Sequence, residues 1–161
     1  MNFKIATLDD TQVIAEIYNE HIKVGGSTMD LTPKEIIDVE DWFSDFNERE
    51  LIVLLEVGMI VVGWGIIKRY SDREGYARAC ETAIYLKTSE TRKGYGSHLK
   101  LWLIDKCREL GYHHMVAKIY ASNIASIEYN RKLGYEIVGT QKEIGFINGE
   151  WQDVTIMQLI I

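Results

Sequence analysis

Residues 89–98 read SETRKGYGSH, and this stretch decides the fold because it joins a predicted strand to a predicted helix. Gly94 and Gly96 lie one residue apart, directly after the cations Arg92 and Lys93. Free backbone N–H groups and the positive end of a helix meet at such a turn, and glycines let an anion approach closely. The turn therefore predicts a phosphate-type anion site, with a glycine-rich turn carrying two solvated cations as the alternative. It matches neither the phosphate loop nor the three-glycine dinucleotide fingerprint.

The periodicity on both sides of this turn predicts a single mixed α+β domain over residues 1–161. Apolar residues recur every three or four positions in the predicted helices, whereas the predicted strands are rich in β-branched and aromatic residues. The order βααβββαβαββ gives one mixed, mostly antiparallel sheet with helices on both faces. The predicted strands are 3–6, 51–57, 59–70, 76–86, 115–120, 135–144 and 151–160, and the predicted helices end near residues 23, 47, 111 and 134. The second helix is expected to begin near Pro33, and the apolar repeat of the third begins at His98 and Leu99.

The composition argues against several classes of function. A net charge of −6 disfavours a nucleic-acid surface, because phosphate backbones are held by clustered Lys and Arg. Cys80 and Cys107 suggest neither a zinc site nor a disulfide framework, and the four histidines show no metal-ligand spacing. The chain starts without an export signal, and no apolar run is long enough to span a membrane. We therefore expect a cytoplasmic protein that needs no metal and whose partner is a small molecule.

Residues 91–96, TRKGYG, resemble the Gln/Arg-x-x-Gly-x-Gly/Ala turn of the GNAT superfamily of acetyl-CoA-dependent N-acetyltransferases. Residues 123–135, NIASIEYNRKLGY, are similar to a second signature of that superfamily. The stretches IYNEHIKV, TPKEIIDVEDWF, ETAIYL and GFINGEWQDVTIMQL resemble its phosphinothricin N-acetyltransferase branch, which includes enzymes acting on methionine sulfone and sulfoximine. The resemblance covers nearly the whole chain. It implies the GNAT fold, acetyl-CoA as co-substrate, a small amine as acceptor and a homodimer.

The resemblance assigns the catalytic roles to the strand before the turn. Glu81 matches the acidic residue thought to act as general base toward the acceptor amine, and an exposed or salt-bridged strand glutamate is the alternative. Ile84, Tyr85 and Leu86 would contribute main chain. A backbone N–H released by a bulge there would stabilise the thioester oxygen, and the strand would pair with the pantetheine arm. Glu81 and Tyr85 are thus the predicted catalytic residues.

The resemblance also places coenzyme A on the turn and on the helix that follows the next strand. Asn123 would bind pantetheine, cap that helix, or do both. Thr91 replaces the usual Gln or Arg, and Asn130 stands where relatives carry the Tyr or His that assists the departing thiolate. An asparagine can donate a hydrogen bond to sulfur but is not readily an acid, so solvent would supply the proton. The predicted coenzyme-binding residues are Ile84, Tyr85, Leu86, Arg92, Lys93, Gly94, Tyr95, Gly96, Ser97, Asn123 and Asn130.

The acceptor pocket departs most from the branch. Gly25, Gly26 and Met29 stand where relatives carry two threonines and an aromatic residue, which predicts a roomier or altered pocket. Asn148 stands where the branch often has histidine. Arg78 is expected to pair with an acceptor carboxylate, and a solvated strand cation is the alternative. The predicted substrate-binding residues are Met29, Tyr76, Arg78 and Asn148.

The sequence therefore favours acetyl transfer from acetyl-CoA to the amine of a small molecule, plausibly an amino acid or an analogue of one. Transfer to a peptide or protein amine is the second hypothesis. A non-catalytic acyl-CoA-binding module is the third, and Thr91 and Asn130 are the features that keep it open.

Overall fold

The predicted order of strands and helices is confirmed by the computed structural model, which describes residues 1–161. The strands are β1 (Asn2–Ile5), β2 (Leu51–Val57), β3 (Ile60–Arg69), β4 (Ala79–Leu86), β5 (His114–Tyr120), β6 (Glu136–Ile147) and β7 (Glu150–Ile160). The helices are α1 (Thr11–Val24), α2 (Ile36–Asp45), α3 (Tyr95–Glu109) and α4 (Ile124–Lys132).

All seven strands form one sheet in the order β1-β2-β3-β4-β5-β7-β6. Every neighbouring pair is antiparallel except β4 and β5, which are parallel. That parallel pairing joins only Ala79–Glu81 to His114–Val116. Beyond these residues the two strands do not pair with each other, which leaves an open edge on β4 in the middle of the sheet, just before the glycine turn.

The helices cover both faces of the sheet, as predicted. On one face, Leu103 of α3 packs in a core that includes Val53 of β2. On the other face, Ile17 of α1 and Val39 of α2 pack in a second core that includes Ile52 of β2. Neighbouring residues of β2 enter different cores because successive side chains of a strand point to opposite faces.

Two helices begin elsewhere than the sequence suggests. Helix α2 starts at Ile36 and not near Pro33, because Glu35 forms its N-cap and its backbone N–H donates to Asp38 Oδ2 at 2.7 Å. Helix α3 starts at Tyr95, before the first apolar repeat, because Gly94 adopts a φ of 84° as its N-cap. The glycine turn thus leads directly into the helix.

Cys80 and Cys107 are free, buried, and have their sulfur atoms 3.6 Å apart. No group of three or more His, Cys, Asp or Glu side chains is arranged to hold a metal ion. None of the helices combines the length and the hydropathy that crossing a membrane requires.

Candidate active site

The turn before α3 presents a row of unpaired backbone donors. The N–H groups of residues 91–96 donate no hydrogen bond within the protein, and the next one, that of Ser97, donates to Gly94 O at 3.0 Å. Arg92 and Gly94 both have positive φ, 63° and 84°. Successive free N–H groups at a helix N-terminus form a concavity that binds anions. The exposed guanidinium of Arg92 forms no ion pair, whereas Lys93 Nζ lies 3.0 Å from Glu90 Oε2.

One edge of β4 is open on the side of β5. The register between β3 and β4 is constant, and Tyr70 N donates to Ala79 O at 3.2 Å. Odd-numbered residues of β4 therefore direct their backbone groups to β3, and even-numbered residues direct theirs away. Because β5 pairs only with the first three residues of β4, the backbone N–H groups of Ile84 and Leu86 have no strand partner. An extended, amide-bearing ligand can pair with this edge.

This geometry corrects two details of the predicted catalytic strand. The expected bulge is absent, since the register between β3 and β4 shows no shift, and the free N–H groups arise because β5 stops pairing. Tyr85 is odd-numbered, so its backbone faces Trp64 of β3 and not the open edge. The predicted main-chain role of Tyr85 is therefore wrong. The Tyr85 side chain lies in the cleft on the face of the sheet that α1 and α2 cover.

Helix α1 ties down both the end of β4 and the start of the turn. His21 Nε2 lies 2.8 Å from Leu86 O, and Nδ1 of the same ring lies 2.8 Å from Ser27 Oγ. Glu20 Oε2 accepts hydrogen bonds from Thr88 N at 2.7 Å and from Thr88 Oγ1 at 2.9 Å. The strand edge and the anion turn are thus held by a common support.

Glu81 lies at the last pairing position of β4 and β5 and lines the cleft. Its Oε2 is 2.9 Å from Lys118 Nζ, and the two side chains are 27% and 49% exposed. The salt-bridged glutamate that the sequence left as an alternative is therefore present. The other oxygen, Oε1, accepts no hydrogen bond within the protein.

A cleft of about 1420 Å³ opens beside Glu81 on the face covered by α1 and α2. Aromatic side chains form part of its wall: the ring centroid of Tyr85 is 4.9 Å from that of Tyr18 and 4.6 Å from that of Trp64. Since such walls exclude water and suit apolar groups, the cleft can hold the body of a small acceptor.

A hydrogen-bond network fixes the segment after α1 over this cleft. Tyr18 Oη lies 2.6 Å from both Thr28 Oγ1 and Asp30 Oδ2, and Tyr120 Oη donates to Thr28 O at 2.7 Å. Sequence reasoning missed these residues and Lys118. In the sequence, Tyr18 has the helical spacing of a core residue, and nothing links residues 28 and 120.

The hydroxyls of Tyr18 and Tyr85 in the cleft keep their protons at neutral pH. Burial, reinforced by the neighbouring Tyr85 and Asp30, raises the pKa of Tyr18 far above its ordinary value. Burial likewise raises the pKa of Tyr85 to about 12. Both hydroxyls therefore stay protonated at neutral pH and cannot take up a proton there.

Three of the four predicted substrate-binding residues line the cleft. Met29 and Tyr76 do so as exposed side chains, and Arg78 does so while its Nη1 donates to Gly111 O at 3.1 Å. Asn148 does not. It is exposed at the turn between β6 and β7 with a φ of 51°, because the two-residue hairpin needs a left-handed residue there. Within one chain, Asn148 is therefore not among the residues that line the cleft, and its contact with the acceptor stays a prediction.

The two predicted asparagines of the second motif are engaged in helix α4. Asn123 is its N-cap, with Oδ1 accepting from Ser126 N at 3.1 Å, which leaves Nδ2 available. Asn130 is only 6% exposed, and its Nδ2 donates to Ser126 O at 2.8 Å. The adjacent Tyr129 has a buried hydroxyl without a hydrogen-bond partner, and burial raises its pKa. The helix thus turns Asn130 inward against its own preceding turn.

Known proteins similar to this chain are acetyltransferases. A family profile described as Acetyltransferase (GNAT) domain matches residues 3–156. An L-methionine sulfoximine/L-methionine sulfone acetyltransferase of Pseudomonas paraeruginosa is 32% identical over 157 residues, which cover 96% of this chain and 91% of that protein. The similarity thus extends over both motifs and over the strands between them.

Two solved structures have the same fold. A GNAT superfamily phosphinothricin acetyltransferase from Sinorhizobium meliloti, in complex with acetyl-CoA, has a TM-score of 0.93 and 30% identity, covering 99% of this chain and 88% of that one. A ribosomal-protein-alanine N-acetyltransferase from Brucella melitensis has a TM-score of 0.95 and 28% identity, covering 100% of both chains. The predicted fold is confirmed by these likenesses.

Proposed function

This chain belongs to the GNAT family of acetyltransferases and uses acetyl-CoA as co-substrate, and on that premise we propose that it acetylates the amine of a small amino acid or amino-acid analogue. The observation that carries the proposal is the position of Glu81. It lies between a free strand edge that leads to an anion-binding turn and a cleft with aromatic walls. Names of similar proteins, among them an L-methionine sulfone acetyltransferase, support the acceptor class.

The donor side of the site fits the chemistry of acetyl-CoA. The free N–H groups of residues 91–96, with Arg92 and Lys93 beside them, suit its pyrophosphate. The unpaired backbone N–H groups of Ile84 and Leu86 suit its amide-bearing pantetheine arm, and Asn123 Nδ2 lies on the helix that follows β5. We assign Gly94, Tyr95, Gly96 and Ser97 to the same phosphate site. When bound, acetyl-CoA supplies an activated thioester.

Glu81 acts as the general base in this proposal. Amines with a pKa of roughly 8 to 10 are protonated at neutral pH and must lose a proton before they attack. The Glu81 carboxylate takes that proton directly or through one water, and the freed nitrogen forms the new bond to the acetyl carbon. The backbone N–H of Ile84, on the open edge, stabilises the oxygen that gains charge.

The remaining proton leaves nitrogen as the carbon–sulfur bond breaks, and it ends on the sulfur of the product thiol. Because a thiol of pKa near 8.5 is a good leaving group, solvent can supply or relay this proton without a tyrosine on α4. The inward position of Asn130 is consistent with that path. The net products are the amide, free coenzyme A and one proton.

Replacement of Glu81 by Gln tests the proposal. We expect kcat for L-methionine sulfone to fall roughly 10²- to 10⁴-fold, the usual contribution of a general base, while the acetyl-CoA dissociation constant measured by calorimetry stays unchanged. Glu128→Gln is the matched control, since Glu128 is exposed on α4 and pairs only loosely with Arg131 at 3.7 Å. Equal activity of the two variants would remove Glu81 from the mechanism.

A peptide amino terminus is the second candidate acceptor, favoured by the likeness to a ribosomal-protein-alanine N-acetyltransferase. Wild-type kcat/KM for short alanine-led peptides and for free amino acids separates the two, and a higher value for peptides would replace the small-molecule proposal. Acetyl-CoA binding without turnover of any amine would instead indicate a binding module.

We also propose that the protein is a homodimer, as its family resemblance implies. The β6–β7 hairpin supports this, because Phe146 and Trp151 stack at 4.8 Å between ring centroids while remaining 56% and 62% exposed. Two large apolar side chains held together on an exposed surface are typical of a protein interface.

A further inference from the structure

Lys118 is a cation of the acceptor cleft to which the general-base mechanism assigns no role. Its neighbours Ala117 and Ile119 point into the core beneath α3 and α4, so strand alternation places Lys118 on the opposite face with Glu81. Its Nζ lies 2.9 Å from Glu81 Oε2. The carboxylate proposed as the general base is therefore held by this ammonium.

The pair contributes little to folding. With Lys118 49% exposed, it belongs to the class of ion pairs that stabilise a fold by at most about 1 kcal/mol. An ammonium has three donors, and Lys118 Nζ uses one of them on Glu81. The other two face an open cleft in which a second anion can bind.

The remaining cations of the cleft are occupied or differently placed. Arg69 forms ion pairs with Asp45, Glu50 and Asp72, and Arg78 donates to a backbone carbonyl. Lys68 of β3 lies opposite Glu81 in the sheet register but forms no ion pair with it. Lys118 is thus the cation that contacts the base itself.

Resting on the proposed function, we propose that Lys118 binds the carboxylate of the acceptor. The ammonium then leaves Glu81, and the Glu81 carboxylate becomes free to bind the acceptor amine. An α-amino acid carries its ammonium and its carboxylate on one carbon, so the two charges match the Glu81–Lys118 pair when each binds its opposite. Lys118 then restricts the substrate class to amines bearing an adjacent anionic group.

This assignment explains how a salt-bridged glutamate can serve as a base. Without acceptor, Lys118 holds Glu81 Oε2. When the acceptor carboxylate takes the ammonium, that oxygen is free to accept an N–H of the amine. An amine without a carboxylate has to displace Lys118 with no compensating ion pair, and it therefore reacts poorly.

The test compares two acceptors that differ only in the carboxylate, L-methionine sulfone and 3-(methylsulfonyl)propylamine. Wild type should favour the amino acid in kcat/KM, and Lys118→Met should raise the KM of the amino acid roughly tenfold or more, the equivalent of one ion pair, without raising that of the amine. Lys118→Arg should restore the preference in part. Lys68→Met is the matched control, because it removes a cation from the same face without touching the bridge, and it should keep the preference.

Two results would overturn this inference without overturning the proposed function. One is turnover by the Lys118→Met variant with an unchanged preference for the amino acid. The other is loss of the preference in Lys68→Met to the same extent, which would reveal a diffuse electrostatic effect. Absence of turnover with both acceptors in the wild type, despite acetyl-CoA binding, would instead overturn the proposed function and the inference with it.

Discussion

Lys100 is a buried lysine of α3 that no acidic side chain balances. It is 3% exposed, its Nζ lies 3.4 Å from Thr82 Oγ1, and the ammonium lies 5.2 Å from the ring centroid of Tyr135. Burial lowers its pKa to about 8, against a smaller opposing influence of Cys80 and Cys107. The fold therefore holds a charge at neutral pH that it would be more stable without.

The lowered pKa of Lys100 makes the stability of the fold depend on pH in one direction. Above about pH 10.5 Lys100 is neutral in both the folded and the unfolded chain and costs nothing. As the pH falls toward 8, the unfolded chain takes up the proton first, so the folded state loses about 3 kcal/mol relative to it. Below pH 8 that cost stays constant.

We expect Lys100→Met to raise the free energy of unfolding by about 3 kcal/mol at pH 7 and by little at pH 10, since Met fills a similar volume without a charge. Urea unfolding of the variant and the wild type at each pH gives this difference, in which the titrations of groups distant from Lys100 cancel. Lys106→Met is the control, because Lys106 forms a partly exposed ion pair with Glu109. A difference that does not vary between pH 7 and 10 would contradict the assignment.

At the scale of elements, the open edge of β4 depends on how closely β3 lies against it. A Cβ built on Gly63 would lie 2.4 Å from Leu86 Cδ2 and 2.7 Å from Tyr85 O. The carbonyl is backbone and cannot rotate away, so β4 itself would have to shift. The glycine thus sets the position of the residues proposed to pair with pantetheine.

Gly63→Ala should therefore lower the free energy of unfolding by about 1–3 kcal/mol and raise the KM for acetyl-CoA several-fold. Gly139→Ala is the matched control in β6, because no atom lies within 4 Å of the position that its new methyl group would take and its φ is not left-handed. Thermal unfolding and steady-state kinetics measure both effects. Unfolding behaviour equal to that of the control would show that the strands can separate without cost.

At the scale of the whole molecule, the exposed Phe146 and Trp151 bear on assembly. We expect light scattering to give twice the mass of one chain, and a double substitution to Ser at these positions to give a monomer, because burial of aromatic side chains dominates such interfaces. Met59→Ser removes a fully exposed apolar side chain from the β2–β3 turn and should leave the mass unchanged. A monomeric wild type would end the dimer proposal.

The sequence by itself determined the element order, the family and the co-substrate. Hydrophobic period, turn residues and the two motifs are local signals, and each is carried by residues that are neighbours along the chain. The Gly94 turn and the Asn123 cap could be predicted for that reason. The first residues of α2 and α3 could not be predicted, because the N-caps Glu35 and Gly94 set where these helices begin, and neither start coincides with the apolar repeat.

Only the tertiary structure decided the acceptor side. Glu81 meets Lys118, and Thr28 meets both Tyr18 and Tyr120, because strands and helices distant in sequence pack together. The direction of the Tyr85 backbone likewise follows from the register with β3, which no local pattern specifies. Pairing across a sheet depends on packing of the whole domain, and the chemistry that we propose for acceptor choice is built from those pairs.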